Sequence, residues 1–301
     1  MTALHIGQKS FEWGARTFVM GILNITPDSF SGDGLLAAEG SSLGADLGKI
    51  ERVISQAQRF LAAGADILDI GGESTRPGSQ LVSVAEELDR VLPVIRVLSL
   101  EFPNAVISID TYKSEVAQAA LTAGAHLVND VWGLRADPRL AEVVARHAVP
   151  VILMHNRSKP SNAQVQENLG GRYVGMQYVD LLEDVKTELL ESVALAQEAG
   201  IASDRIILDP GIGFGKTVEQ NLELLNRLDE IRALGFPVLL GPSRKSFIGY
   251  TLDLPPDQRV EGTAASVAVG IARGADLIRV HDVDVMARVA RMTDAIVRHR
   301  A

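Results

Sequence analysis

Short apolar runs alternate with longer stretches of helical spacing along the whole chain. The runs at 19–23, 67–70, 106–109, 126–128, 149–154, 205–208, 237–240 and 276–280 are dominated by Val, Ile and Leu, as in strands buried on both faces. The stretch 49–63 puts Ile50, Val53, Ile54, Ala57, Phe60 and Leu61 at helical spacing, and Gly64 stops it. The same reasoning predicts helices at 84–100, 114–123, 138–147, 174–199, 218–233, 259–273 and 283–299. Residues 4–18 alternate loosely around Gly7 and Gly14 and predict a hairpin ahead of the main fold. Residues 26–34 read as a loop, 35–48 as its extension without clear period, and 156–171 as a polar loop.

About eight strand–helix units follow one another with no charged block or proline-rich linker between them. Such alternation predicts parallel strands joined by right-handed crossovers. Eight units in about 250 residues or a little more predict an α/β fold, a (β/α)8 TIM barrel. The barrel would cover about 19–300 and the hairpin about 4–18, in one domain spanning 1–301. An open doubly wound sheet is the alternative, but no glycine fingerprint follows the first run.

In a barrel the C-terminal ends of the strands converge on one face, where the site lies. The predicted ends are Asn24, Asp69, Asp110, Asn129, Met154 with His155, Asp209, Gly241, and Arg279 with His281. Any one of the polar ends could cap a helix, but so many together point to a site. Several buried acceptors and amides suit a flat heterocycle with many N–H groups. Arg76, Arg244, Lys245, Arg279 and His281 would supply a rim for phosphate and carboxylate groups. A Schiff-base role for Lys245 is the lesser alternative, because Ser243, Arg244 and Ser246 around it suit anion handling. Asp209 opens a segment with Gly211, Gly213 and Gly215, and Thr217 begins the next helix. Gly215-Lys216-Thr217 imitates the end of a nucleotide phosphate loop, but the required first glycine is Pro210, which has no N–H to offer.

The composition narrows the function further. A net charge of -9 argues against general nucleic-acid or anionic-membrane binding. With no cysteine, disulfides, thiolate nucleophiles and Cys-ligated metals are excluded. The histidines lack a zinc spacing. No signal segment or apolar run of about 20 residues is present, so a soluble cytoplasmic protein is expected.

The stretches GILNITPDSFSGDG (21–34), DIGGESTRPGS (69–79), LMHNR (153–157), DPGIGFGK (209–216), GPSRKSFIG (241–249) and RVHDV (279–283) resemble the dihydropteroate synthase family. The similarity runs from about residue 17 to 298, and TPDSFS, GGESTRPG and SRKS together are highly specific. The resemblance implies a (β/α)8 barrel and condensation of 7,8-dihydropterin pyrophosphate with p-aminobenzoate, releasing pyrophosphate. It implies pterin binding by Asp110, Asn129, Met154, Asp209, Phe214, Gly241 and Lys245. Pyrophosphate would fall to Asn24, Thr75, Arg76, Arg279 and His281, and p-aminobenzoate to Thr75, Arg76, Pro77, Phe214, Lys245 and Ser246. Asn24 and Asp33 would serve Mg²⁺, and Asp33, Asp110, Lys245 and Arg279 the chemistry. The resemblance also implies a homodimer and a sulfonamide target. One departure is that the family has Ser-Asp-Gly-Gly after TPDSF, whereas this chain has Ser31-Gly32-Asp33-Gly34. The alternatives are a methyltetrahydrofolate-binding methyltransferase, which would not need the STRPG or SRKS anion contacts, and a non-catalytic pterin-binding barrel.

Overall fold

The computed structural model describes residues 3–26, 43–74, 81–166, 168–174 and 176–298, with backbone alone for 43–47, 49 and 160. Strands β1 (Leu4–Ile6) and β2 (Lys9–Phe11) form the antiparallel hairpin. The eight-stranded parallel sheet consists of β3 (Phe18–Asn24), β4 (Ile67–Gly71), β5 (Val106–Asp110), β6 (Leu127–Asp130), β7 (Val151–Met154), β10 (Ile206–Asp209), β11 (Leu239–Leu240) and β12 (Leu277–Val280). Its order is β10-β7-β6-β5-β4-β3-β12-β11. A parallel bridge between Leu208 and Val238 joins the two edges, and Leu208 N–H donates to Pro237 O at 2.9 Å. The sheet is therefore a closed barrel, as the alternation of elements predicts.

Period-two alternation divides the strand residues between two cores. Phe18, Met20, Ile67, Val106, Leu127, Ile152, Ile207, Leu239 and Leu277 form the barrel interior together with Leu4, Ile6, Phe11 and Trp13 of the N-terminal segment. Phe11, Trp13 and Phe18 stack at centroid separations of 4.7 to 5.6 Å, so the hairpin packs its aromatic side on this interior cluster. The intervening residues, such as Leu23, Leu68, Ile70, Ile109 and Leu208, join the larger core shared with the helices.

Helices α1 (Leu43–Ala63), α2 (Val84–Glu101), α3 (Ser114–Thr122), α4 (Arg139–His147), α5 (Leu181–Glu198), α6 (Val218–Asn226), α7 (Leu228–Arg232), α8 (Ser246–Leu252), α9 (Val260–Ala272) and α10 (Val283–Val297) fill the connections. Several elements differ from the sequence reading, among them α8, which is not among the predicted helices. Helix α1 starts at Leu43, because Leu43, Leu47 and Ile50 continue the helical spacing that Gly44 and Gly48 obscure. Helix α5 starts at Leu181, where the Asp180 carboxylate accepts the Leu182 and Glu183 N–H groups. The polar stretch before it holds a second hairpin, β8 (Ala163–Gln166) and β9 (Gly170–Tyr173). The predicted helix over 218–233 breaks at Arg227, leaving Leu224, Leu225, Leu228 and Ile231 all buried. No helix among the described residues is long and apolar enough to cross a membrane.

Candidate functional site

Strand register brings three of the predicted strand ends, Asn24, Asp110 and Asn129, to one level. Asn24 pairs with Gly71, Gly71 with Asp110, and Asp110 with Asn129. Asp209 pairs with Met154, two residues beyond the Ile152 that faces Asn129. These residues stand two or four places beyond the apolar interior set, so the same inward alternation that lines the floor with Ile67, Val106, Leu127 and Ile207 puts polar groups at the mouth. Gly71 keeps the row open. A Cβ there would stand 3.6 Å from the Asp110 carboxylate and 3.8 Å from Asn24 Oδ1.

Arg279 ties this row together from β12. Its Nε donates to Asp69 Oδ2 at 2.6 Å and its Nη2 to Asp110 Oδ2 at 2.5 Å. Asn129 Nδ2 donates to the same Asp69 oxygen at 3.3 Å. Asp69 is fully buried and Asp110 is 11 % exposed. Burial pushes Asp110 up to about 7, against the pull of Arg279 and with the push of Asp69. Burial likewise raises Asp209, against Lys245 and the Gly211 N–H that its Oδ1 accepts at 2.8 Å. The mouth thus holds carboxylates that gain charge only when a donor compensates their lost hydration.

Lys245 faces this group from the turn before α8. Its Nζ donates to Ile212 O and stands 4.6 Å from the Phe214 ring centroid. Burial lowers its pKa to about 8, although Asp209 opposes the shift. Gly241 lies beside it, since a Cβ there would come within 3.9 Å of Lys245 Nζ and 3.8 Å of Arg279 Cβ. The glycine-rich connection after β10 has φ of 72°, 83° and 59° at Gly211, Gly213 and Gly215. At Gly211 the space is as restrictive as the dihedral, because a Cβ would fall 1.9 Å from His155 O.

Three features escaped the sequence reading. Lys216 is 2 % exposed beneath the glycine-rich connection. Burial lowers its pKa to about 7, with Asp209 opposing. Its neighbour His155 is buried too, and burial together with Lys216 takes that imidazole down to about 3. Second, Lys113 Nζ donates to Glu73 Oε2, Glu87 Oε2 and Val82 O, each at 2.6 Å, bracketing residues 74–81. Third, Asp69, read from sequence only as a strand end, is the shared partner of Arg279 and Asn129.

Other expected residues fall as follows. His281 N–H and Nδ1 lie 3.1 and 3.0 Å from Ser243 Oγ, just past β12. Ser246 is the first residue of α8, next to Lys245. Arg244, read as a rim cation, instead forms a fork with Asp282 at 2.9 and 2.5 Å. Its carbonyl accepts from Arg259, fixing a turn with φ of 54°. Asp33, Thr75, Arg76 and Pro77 lie outside the described residues.

Comparison with known proteins agrees with this geometry. The model of the pterin binding enzyme family matches residues 20–281. The chain belongs to that family. It is 46% identical to the dihydropteroate synthase of Clostridium beijerinckii over 296 residues, covering 98% of this chain and 100% of the relative. A crystal structure of the Clostridium difficile dihydropteroate synthase, obtained in the presence of pteroic acid, superposes with a TM-score of 0.83 at 45% identity, covering 96% of this chain and 100% of that one. The Xanthomonas albilineans dihydropteroate synthase with 4-aminobenzoic acid gives 0.84 at 39% identity, covering 99% of both chains. Within the family the chain therefore stands with the dihydropteroate synthases, transferases of folate biosynthesis. The reaction joins 6-hydroxymethyl-7,8-dihydropterin diphosphate to p-aminobenzoate and yields 7,8-dihydropteroate and pyrophosphate. The methyltransferase and non-catalytic readings give way to it.

Proposed function

We propose that the barrel mouth divides this reaction among the residues gathered there. Asp110, Asn129 and Asp209 bind the pterin edge, with Met154, Gly241, Phe214 and Lys245 around the ring. The observation that carries this reading is the single level shared by Asp110 and Asn129, with Arg279 on the Asp110 carboxylate. An ionised carboxylate accepts two parallel N–H bonds, and an amide offers both a donor and an acceptor, which matches an aminopyrimidine edge.

In the reaction the C–O bond between the pterin methylene and the diphosphate breaks, and its electron pair leaves with pyrophosphate. The amine nitrogen of p-aminobenzoate forms the new C–N bond and loses a proton to solvent. The ring can carry positive charge as the bond breaks, so no protein nucleophile is required. Arg279, His281 and Asn24, with Thr75 and Arg76, serve the diphosphate, and cations fixed there stabilise the charge that develops on it. Lys245, Ser246 and Phe214, with Thr75, Arg76 and Pro77, receive p-aminobenzoate.

Mg²⁺ fits the donor chemistry at Asn24, whose amide oxygen lies near the Asp110 level. Magnesium takes oxygen ligands, keeps several waters and shares substrate phosphates, so one or two protein oxygens suffice. Asn24 and Asp33 would hold it, and when bound it would neutralise the leaving diphosphate. The chain is further proposed to act in the cytoplasm as a homodimer. Val269 of α9 and Met292 and Ile296 of α10, 43, 64 and 66 % exposed, support a helix-mediated pairing.

The deciding experiment is pyrophosphate release by the purified protein, omitting Mg²⁺, dihydropterin diphosphate or p-aminobenzoate in turn. Release should need all three and should be lost in Asp110→Ala and Lys245→Ala. Full turnover by either variant would refute the assignment, and turnover without added metal in chelator would remove Mg²⁺ from it. Light scattering of the pure chain tests the dimer, which a monomer mass would exclude.

A further inference from the structure

The connection after β10 curls around an ammonium. Lys216 Nζ donates to Gly211 O at 3.0 Å, Phe214 O at 3.0 Å and His155 Nδ1 at 2.9 Å. An ammonium has three N–H donors, so all of its capacity is used. Accepting at Nδ1 leaves the His155 proton on Nε2, which stands 3.2 Å from Glu188 Oε2 without hydrogen-bond alignment. Burying a cation is unfavourable unless its partners hold it well, and here two of the three belong to the lysine's own loop. The opposite side of the loop is held independently. Asn221 Oδ1 accepts the Gly213 N–H at 2.6 Å, and Tyr178 Oη donates to Gly215 O at 2.8 Å. Within this curl the Ile212 carbonyl accepts from Lys245.

We propose that Lys216 is a positioning residue for the transferase reaction. By drawing the Gly211 and Phe214 carbonyls together beneath the loop, it orients the Phe214 ring and the Ile212 carbonyl, and through them the Lys245 ammonium, on the p-aminobenzoate side of the site. It acts through the loop and touches no reacting atom. The inference rests on the reading that Phe214 and Lys245 face p-aminobenzoate.

Steady-state kinetics of Lys216→Met, with direct measurement of dihydropterin affinity and with Phe214→Ala beside it, tests the assignment. KM for p-aminobenzoate should rise by about tenfold or more, and by more than the pterin affinity falls, since Phe214 and Lys245 also border the pterin, with kcat at saturation within about threefold of wild type. Combined with Phe214→Ala, the effect should be less than additive. A lysine serving stability alone would reduce the active fraction, lowering kcat with both KM values unchanged. That result, or wild-type constants, would overturn the proposal. If Phe214→Ala leaves KM for p-aminobenzoate unchanged, the underlying reading of the site fails. If it raises that KM and Lys216→Met does not, the inference alone fails. Should Lys216→Met not fold, Asn221→Ala releases Gly213 from the other side. The same KM rise is then expected, and an unchanged KM overturns the proposal.

Discussion

Replacing Asp110 by Asn should stabilise the protein at alkaline pH while disabling it. Burial raises this carboxyl from 3.8 to about 7 in the folded chain. The folded state therefore holds the proton more tightly than the unfolded state, and stability falls as pH rises through that window. At about 1.4 kcal/mol per pH unit, the whole window amounts to about 4 kcal/mol, of which roughly 2 to 3 kcal/mol falls between pH 5 and pH 8. Asn keeps an oxygen for Arg279 but does not titrate, so this component disappears. Wild type and Asp110→Asn should be melted at pH 5 and pH 8. The difference between them should shift in the variant's favour by about 5 °C, taking about 2 °C per kcal/mol for a chain of this size. In parallel, kcat/KM should drop by about 10- to 150-fold, the value of a charge-assisted hydrogen bond. Parallel stability–pH curves would refute the claim that Asp110 ionises against its surroundings.

Gly211→Ala should destabilise by on the order of 4 kcal/mol, because its Cβ would meet the His155 carbonyl at 1.9 Å and φ is 72°; a wild-type urea midpoint would contradict this. Lys245 loses its proton near pH 8, so kcat/KM for p-aminobenzoate should decline above about pH 8. Lys245→Arg should abolish that decline even with a lower maximum, and an unchanged alkaline limb would exclude Lys245 as its source. Lys113→Met leaves Glu73 and Glu87, 7 and 1 % exposed, without their shared cation. A loss of about 3 to 5 kcal/mol is expected. Burial already raises Glu87, and removing Lys113 raises it further, so urea midpoints should show a greater loss at pH 8 than at pH 5.

The barrel and its polar mouth were legible because both follow from local pattern. Strands such as 106–110 run apolar to a terminal Asp, and inward alternation carries that Asp to the rim whatever the rest of the chain does. What the pattern hid is non-local. Lysine is seldom buried, so nothing in GFGKT marks Lys216 as the centre of its loop; its third acceptor, His155, comes from the end of another strand. Asp69 and Arg279 were each visible as strand ends, but their pairing depends on β12, from the end of the chain, pairing in parallel with β3. Arg244 resembled an anion ligand because its neighbours are Ser243, Lys245 and Ser246, while Asp282 lay beyond any local window. The hairpin over 163–173 is only faintly announced, by the short alternation Ala163-Gln164-Val165-Gln166, while Gly170 and Gly171 open its second strand.

The same electrostatics make a demand on ligand binding. The floor of the barrel is apolar, so the charges at its mouth interact through a poorly screening medium. A pterin bound through ionised Asp110 must supply N–H donors that replace the missing hydration, and those donors lower the carboxyl pKa. Near pH 7 about half of the free protein carries the Asp110 proton, so binding should release about half a proton there and nearly one at pH 5.5. Affinity should correspondingly weaken by up to about tenfold per pH unit below 7. Calorimetric titration with a pterin in buffers of differing ionisation enthalpy counts these protons directly. Asp110→Asn should bind weakly and release none. Proton release that persists in the variant would assign the titration to another group, Asp209 being the next candidate, since burial raises it as well. Binding without any release in wild type would mean that the ligand is held by the neutral acid, with the carboxyl acting as donor rather than acceptor.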